Sequence, residues 1–200
     1  MEACSQVIDG GLDLAVSAVT GAEVVWHCEW EDAPSAILEA HFPGVPNYKD
    51  VSKVDWANVP PVDILTGGFP CQDLSLAGKR AGLKEGTRSG LWSEFAKAIE
   101  KLNPKVVVIE NVRGILSASA HSDLESCDWC MGEEGSGEPS LRALGAVLGS
   151  LADLGANGYD ARWVGLRAAD AGAPHSRFRI FILGIRRDDA DTNAGSHSEL

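Results

Sequence analysis

The sequence predicts an α/β fold built around a mostly parallel sheet, and three observations support this class. Short apolar runs of strand length alternate with helical stretches along the chain. The run at residues 105–110 is apolar between its charged ends, which is typical of a central strand buried on both faces. The 200 residues, 44% hydrophobic and 23% charged, have the size and composition of one globular domain.

The individual elements follow from local signals. Asp32 is a plausible N-cap with Pro34 in the first turn behind it, while Pro104 and Gly155 each end a helical pattern. Helices are therefore predicted at residues 32–41, 89–102 and 141–154. Strands are predicted at residues 24–28, 62–65, 105–110, 159–166 and 179–184, and the last two are consistent with a hairpin.

The charge balance limits the classes of partner. The formal net charge is −12, from 29 acidic and 17 basic residues, which argues against a chain that coats nucleic acid by bulk charge. No apolar run approaches the ~20 residues of a membrane span, and residues 1–11 lack the pattern of a signal peptide. We therefore expect a soluble, intracellular protein. Two local basic groups stand out: Lys79, Arg80, Lys84 and Arg88, and then Arg177, Arg179, Arg186 and Arg187.

The five cysteines are odd in number and widely scattered, so they predict free thiols rather than a disulfide framework. Cys127 and Cys130 are separated by two residues in an acidic stretch, with His121 nearby. We interpret this stretch as a surface insertion and expect no metal. Half of a zinc site and a redox pair are the alternatives, although two cysteines and one histidine do not complete a tetrahedral set and negative charge raises thiol pKa values.

Three segments bring reactive groups to the carboxyl edge of the predicted sheet, where ligands bind in this class of fold. The stretch GFPCQ follows the strand at residues 62–65 and carries Cys71, a potential nucleophile. The strand at residues 105–110 ends in Glu110. Arg177 and Arg179 alternate at the start of the last strand, so both side chains are expected on one side. The arginines could fix the carboxylate, anchor a carbonyl or hold a phosphate.

The motifs GFPCQDLS, ENVRG and RFR, in this order, resemble the cytosine-5 DNA methyltransferase family, and the resemblance runs from about residue 10 to residue 184. It implies a Rossmann-like, S-adenosylmethionine-dependent methyltransferase sheet with helices on both faces. It also implies double-stranded DNA as partner, restriction-modification or a phage or mobile element as origin, and the cytoplasm of a bacterial or phage-infected cell as location.

The resemblance also implies roles for individual residues. Cys71 would add to carbon 6 of a flipped cytosine, Glu110 would contact ring nitrogen 3, and Arg177 would hold the cytosine carbonyl, with Arg179 beside it in the catalytic set. Residues implied to bind S-adenosylmethionine are Gly10, Gly11, Leu12, Glu29, Trp30, Asp50, Val51, Gly68, Pro70 and Leu91. Residues implied to contact DNA are Gln72, Ser75, Lys79, Arg80 and Arg88.

The sequence departs from the family pattern at both ends. No apolar strand precedes Gly10, and Gln6 and Ile8 take the places of an aromatic residue and a glycine, so we expect the first strand to be missing or incomplete. Residues 1–184 form the expected catalytic core, and the polar residues 185–200 form a tail that leads to an absent target-recognition region. We therefore expect a truncated or split enzyme, with a separate chain as a possible source of target recognition.

Two alternatives remain open at this point. The chain could be a catalytically dead or split fragment that acts, if at all, as a DNA-binding module. It could also be a nicotinamide-binding oxidoreductase, but it lacks the full glycine fingerprint, and this interpretation leaves Cys71 and the two arginines unexplained.

Overall fold

A computed structural model describes residues 2–6, 10–69, 90–118, 142–155 and 157–187 of the chain. Within these ranges the strands are β1 (Glu2–Gln6), β2 (Glu23–His27), β3 (Ile64–Gly68), β4 (Val106–Val112), β5 (Tyr159–Arg167) and β6 (Phe178–Arg186). The α-helices are α1 (Gly11–Thr20), α2 (Asp32–His41), α3 (Gly90–Leu102) and α4 (Ala143–Asp153). Short 3₁₀ turns span Val51–Lys53, Arg113–Leu116 and Ala168–Ala171.

The six strands form one sheet in the order β2-β1-β3-β4-β6-β5. The first four run parallel, whereas β6 pairs antiparallel with both β4 and β5. The predicted mostly parallel sheet is confirmed, and so is the pairing of the last two strands. The strand predicted to be central is central, because β4 lies between β3 and β6.

The prediction that the first strand is missing or incomplete is wrong. β1 has five residues, as many as β2 and β3, and it pairs with both of them, although its register against β2 shifts between Ala3 and Cys4. A strand between two neighbours makes backbone hydrogen bonds on both sides, so its place does not depend on an apolar sequence pattern. Helix α1, which directly follows the turn at Gly10, was also not predicted.

Helices cover both faces of the sheet, as predicted. Two adjacent residues of β3 demonstrate this, because successive strand residues project to opposite faces. Thr66 Oγ1 donates a 2.6 Å hydrogen bond to Asp13 Oδ1 of α1, and both residues are fully buried. On the other face, a Cβ on Gly67 would lie 2.4 Å from the ring of Phe95 in α3. Glycine at position 67 therefore lets α3 pack directly on the strand.

The main core lies between the sheet and helices α3 and α4. Val107 and Ile109 of β4, Ile180 and Ile182 of β6, and Val147 of α4 are all fully buried. Alternate residues of β4 and β6 thus face the helices, and the intervening residues, among which is the predicted site, face the other way.

The helix predicted at residues 32–41 is confirmed, but Asp32 is not its N-cap. Glu31 holds that position without a side-chain capping bond, and Asp32 is the first helical residue. The first turn is held instead by Ser35, whose Oγ contacts the carbonyl of Glu31 at 2.6 Å. Among the residues that the structure describes, no helix has the length and apolar character needed to cross a membrane.

Candidate active site

The carboxyl ends of the parallel strands bring several of the predicted residues that the structure describes to one edge of the sheet. Gly10 follows β1, Glu29 follows β2, and Gly68 ends β3. Gly68 is in register with Glu110 of β4. β6 runs in the opposite direction and begins at this edge, with Arg179 opposite Val112. Residues separated by up to 169 positions in the sequence, Gly10 and Arg179, therefore share one edge.

Glu110 and Arg179 form an ion pair at this edge. Arg179 Nε lies 2.5 Å from Glu110 Oε1, and the two side chains are 24% and 22% exposed. They are diagonal neighbours on one face, since Glu110 opposes Phe181 and Arg179 opposes Val112. The contact is an ion pair without hydrogen-bond alignment, because Nε has no hydrogen-bond partner by geometry, while Nη1 donates to the carbonyl of Phe178 at 2.9 Å. The guanidinium thus fixes the carboxylate at the strand end.

Arg177 takes a different position from Arg179. It precedes β6, its side chain is exposed, and its carbonyl accepts a hydrogen bond from Ala168 N at 2.8 Å. The structure therefore brings Arg179 to Glu110, although Arg177 lies on the same short segment. The role expected for Arg177 therefore stays a prediction.

Asn111 is a site residue that the sequence reasoning missed. It is 1% exposed, its Nδ2 donates to the carbonyl of Phe69 at 2.8 Å, and its Oδ1 accepts from Val112 N at 2.8 Å. The Phe69 ring is also buried, 5.1 Å from the ring of Trp92. Asn111 of β4 thus holds the backbone at Phe69, directly after β3, and Phe69 is two residues before Cys71 in the sequence. The sequence did offer a signal for this role. An asparagine at the end of an apolar strand is expected to be buried, and a buried polar side chain requires hydrogen-bond partners.

The predicted nucleophile lies outside the described residues. The same holds for Pro70, for the predicted DNA contacts, and for the cysteine pair with its neighbouring histidine. The residues concerned are Pro70, Cys71, Gln72, Ser75, Lys79, Arg80, Arg88, His121, Cys127 and Cys130. Cys28, by contrast, is described and is a buried free thiol whose pKa is raised by burial to about 12. It is therefore not a competing nucleophile.

The turn at Gly10 packs closely against the side chains of Leu38 and Phe42. Gly10 has φ 65° and occupies the N-cap position of α1. A Cβ there would be strained and would lie 3.1 Å from both Leu38 Cδ2 and the Phe42 ring. Gly11 begins the helix with open space around it, and Leu12 is half-buried. The first turn of α1 therefore begins at this edge of the sheet.

Glu29 and Trp30 follow β2 at the same edge. Glu29 is half-buried, and its Oε1 accepts a 2.8 Å hydrogen bond from Glu31 N. Trp30 is 71% exposed, which is a high value for an indole and leaves its face available for stacking. Leu91, in the first turn of α3, is half-buried and packs against the core.

Asp50 is engaged by its own loop. Its Oδ1 accepts hydrogen bonds from Ser52 N at 3.1 Å and Ser52 Oγ at 2.7 Å, and Lys53 Nζ lies 3.0 Å from Oδ2. The hydrogen bonds from Ser52, followed by that from Lys53, hold the pKa of Asp50 below its usual value. Val51 is buried in the core. Asp50 thus caps the short turn that begins at Val51. Its role as a cofactor ligand stays a prediction.

The second basic group of the sequence does not form one cluster. Arg177 and Arg179 lie at the site edge, whereas Arg186 and Arg187 lie at the other end of β6. Arg186 Nη1 donates to Asn103 O at 2.5 Å, and Arg187 Nε lies 3.3 Å from Asp160 Oδ1. The length of an extended strand separates the two halves, because each strand residue advances the chain by about 3.3 Å.

Comparison with known proteins decides the family. The model of the C-5 cytosine-specific DNA methylase family matches residues 9–199. The chain belongs to this family. It is 31% identical over 179 residues to the Type II methyltransferase M.HhaI of Haemophilus parahaemolyticus, covering 90% of this chain and 47% of that protein. It is 38% identical over 143 residues to the Type II methyltransferase M.Eco47II of Escherichia coli, covering 71% of this chain and 29% of that protein.

Solved structures confirm the Rossmann-like methyltransferase fold. A DNMT2 mutant from Spodoptera frugiperda superposes with a TM-score of 0.65 at 15% identity, covering 94% of this chain and 50% of that chain. An Escherichia coli protein encoded within a prophage, described as a DNA modification methyltransferase, gives 0.64 at 20% identity, covering 95% and 48%. The chain spans less than half the length of the curated relatives quoted above. Membership of this family argues against the nicotinamide-binding alternative.

Proposed function

We propose that this chain carries the catalytic core of a DNA (cytosine-5-)-methyltransferase. The observation that carries the proposal is the Glu110–Arg179 ion pair, half-buried at the carboxyl edge of the sheet. Gly68 is in register with Glu110, and the chain reaches Cys71 three residues after Gly68. We infer that the Cys71 thiol joins the Glu110 carboxylate and the two guanidiniums at this edge, because a thiol, a carboxylate and guanidinium groups are together the set needed to activate a pyrimidine ring for methylation.

The chemistry assigned to these residues proceeds through a covalent adduct. The target cytosine is rotated out of the duplex, because its ring is inaccessible within the base stack. The Cys71 thiolate forms a bond to carbon 6 of the ring, while Glu110 interacts with nitrogen 3 and Arg177 holds the carbonyl, so that carbon 5 becomes electron-rich. After carbon 5 is methylated, loss of its proton and expulsion of the Cys71 thiolate restore the aromatic ring. Arg179 keeps Glu110 in place throughout.

The residues near the other parallel strands fit S-adenosylmethionine. The left-handed turn at Gly10 opens α1 at this edge, the indole of Trp30 is exposed, and Glu29 lies next to it with one carboxylate oxygen turned to its own loop. Gly10, Gly11, Leu12, Glu29, Trp30, Asp50, Val51, Gly68, Pro70 and Leu91 are the residues proposed to hold it. S-adenosylmethionine supplies an electrophilic methyl group when it is bound.

Double-stranded DNA is the proposed substrate, with Gln72, Ser75, Lys79, Arg80 and Arg88 as its contacts. We also infer that a further segment, either joined to this core or supplied by a separate chain, provides target recognition. In support, Val112, Val164, Leu166 and Leu183 are 41–49% exposed on the face of the sheet that also carries Glu110. Exposed apolar side chains in one patch are typical of a surface that another segment covers.

Transfer of labelled methyl from S-adenosylmethionine to mixed-sequence duplex DNA tests the proposal. We expect incorporation at cytosine that is lost in Cys71→Ser and strongly reduced in Glu110→Gln. Incorporation that appears only when a C-terminal segment is added would support the inference about target recognition. Incorporation that persists in Cys71→Ser would contradict the proposed chemistry. DNA binding without incorporation under any of these conditions would favour the alternative of a catalytically dead DNA-binding module.

A further inference from the structure

Asn47 joins two loops of the proposed cofactor site. Its Oδ1 accepts hydrogen bonds from Glu29 N and from Lys49 N, both at 2.9 Å. Its Nδ2 donates to Glu29 O at 3.0 Å and to Ser35 Oγ at 3.1 Å. An amide side chain has two acceptor positions and two donor hydrogens, and here all four are used. Asn47 thus holds the backbone of Glu29 from both its donor and its acceptor side.

Ser35 extends this connection into helix α2. Its hydroxyl contacts the carbonyls of Glu29 at 3.0 Å and Glu31 at 2.6 Å, and it accepts from Lys49 Nζ at 3.0 Å. The loop after β2, the first turn of α2 and the segment before Asp50 therefore meet at the Asn47 and Ser35 side chains. The contacts are part-buried or exposed, so they add little apolar burial to the fold.

The backbone at Lys49 indicates why such a connection is needed. Lys49 has φ 64°, a left-handed conformation that is unfavourable for a residue with a side chain. The conformation is maintained by the bonds of Lys49 N to Asn47 and of Lys49 Nζ to Ser35. The next residue is Asp50, so the turn maintained by Asn47 determines where the Asp50–Val51 pair lies relative to Glu29–Trp30.

We propose that Asn47 is a positioning residue for S-adenosylmethionine, which sets the spacing between the Glu29–Trp30 loop and the Asp50–Val51 loop. Within the part of the chain that the structure describes, its side-chain hydrogen bonds go to Glu29, Ser35 and Lys49, so its proposed role is to hold the two loops rather than to take part in the reaction. The inference rests on the proposed function, because it takes S-adenosylmethionine as the ligand of both loops.

Asn47→Asp tests the inference with a side chain of the same shape. The substitution keeps the acceptor for Glu29 N and Lys49 N but replaces the Nδ2 donor by an oxygen that faces the Glu29 carbonyl. We expect the dissociation constant for S-adenosylmethionine, measured by calorimetry on the full chain at a temperature where both proteins are folded, to rise roughly 3- to 10-fold. In methylation assays, KM for S-adenosylmethionine should rise with little change in kcat.

The matched control is Asn58→Asp. Asn58 is exposed, and its Nδ2 donates to Asp55 Oδ2 at 2.8 Å, so it undergoes the same chemical change without a contact to Glu29. We expect its dissociation constant to equal that of the wild type. Ser35→Ala, which removes a smaller part of the same connection, should raise the constant about 2- to 5-fold and serves if Asn47→Asp does not fold.

The outcomes separate the inference from the proposed function. A wild-type chain that binds no S-adenosylmethionine would contradict the proposed function and the inference with it. A wild-type chain that binds, together with Asn47→Asp and Ser35→Ala variants that bind equally well, would overturn the inference alone. A lower melting temperature with an unchanged dissociation constant would also overturn it, because Asn47 would then contribute only to folding.

Discussion

Removal of the Asn111 amide should destabilise the protein far more than removal of an exposed amide. In Asn111→Ala the carbonyl of Phe69 loses its 2.8 Å donor in a site where Asn111 is 1% exposed, so water does not readily replace the bond. A buried unsatisfied carbonyl costs about 1–3 kcal/mol, and the space left by the amide adds to this, so we expect a loss of about 2–4 kcal/mol in the free energy of unfolding. For a chain of this size each kcal/mol lowers the melting temperature by about 2–4 °C.

Urea denaturation followed by tryptophan fluorescence measures this loss, because Trp92 packs against Phe69. Asn58→Ala is the matched control, since Asn58 is exposed and its Nδ2 donates a hydrogen bond to nearby Asp55, and it should stay within about 0.5 kcal/mol of the wild type. A loss below about 1 kcal/mol in Asn111→Ala would contradict a structural role for the bond to Phe69. It would mean that the amide does not fasten β3 to β4 at the site.

Three further predictions concern other buried groups. Gly67→Ala should destabilise the chain by about 1–3 kcal/mol in urea denaturation, because its Cβ would lie 2.4 Å from the Phe95 ring; a neutral effect would contradict the packing of α3 on β3. Burial lowers the pKa of His27, against an opposing contribution from Glu39. The contribution of the neutral, buried His27 to the free energy of unfolding is therefore fully present above pH 6.5 and is lost as the pH falls below that value. The urea midpoint should therefore decline less between pH 7.5 and 5 in His27→Leu, and equal declines would contradict the assignment. Cys28 should resist iodoacetamide at pH 8 in the native chain and react in urea, as judged by peptide masses, because its pKa is about 12; equal rates in both states would contradict its burial.

The sequence predicted the elements that carry strong local signals. The helix Asp32–His41 agrees with its predicted range because Pro34 and the apolar spacing mark it, and β4 was placed by its apolar run. β1 was missed because the segment EACSQ has no apolar periodicity and is specified by pairing with β2 and β3. Such pairing is a long-range property that a local pattern does not contain.

The same distinction applies to the site. Alternation along the chain predicted that Arg177 and Arg179 share a side, but only the register of β6 against β4 decides that Arg179 meets Glu110. The roles of Asn111 and Asn47 were not predicted, because their partners lie 42 and 18 residues away in the sequence. The residue types of the site were therefore visible in the sequence, whereas the contacts that hold them required the fold.

The most direct test of the proposed chemistry is to trap the covalent adduct. Duplex DNA carrying 5-fluorocytosine is incubated with the chain and S-adenosylmethionine, together with any segment that the activity requires. Fluorine at carbon 5 does not leave as a proton does, so the thiol cannot be expelled and the complex should survive denaturation. We expect a complex that depends on S-adenosylmethionine and whose modified peptide contains Cys71. An adduct on another residue, or methyl transfer to ordinary cytosine by Cys71→Ser, would contradict it.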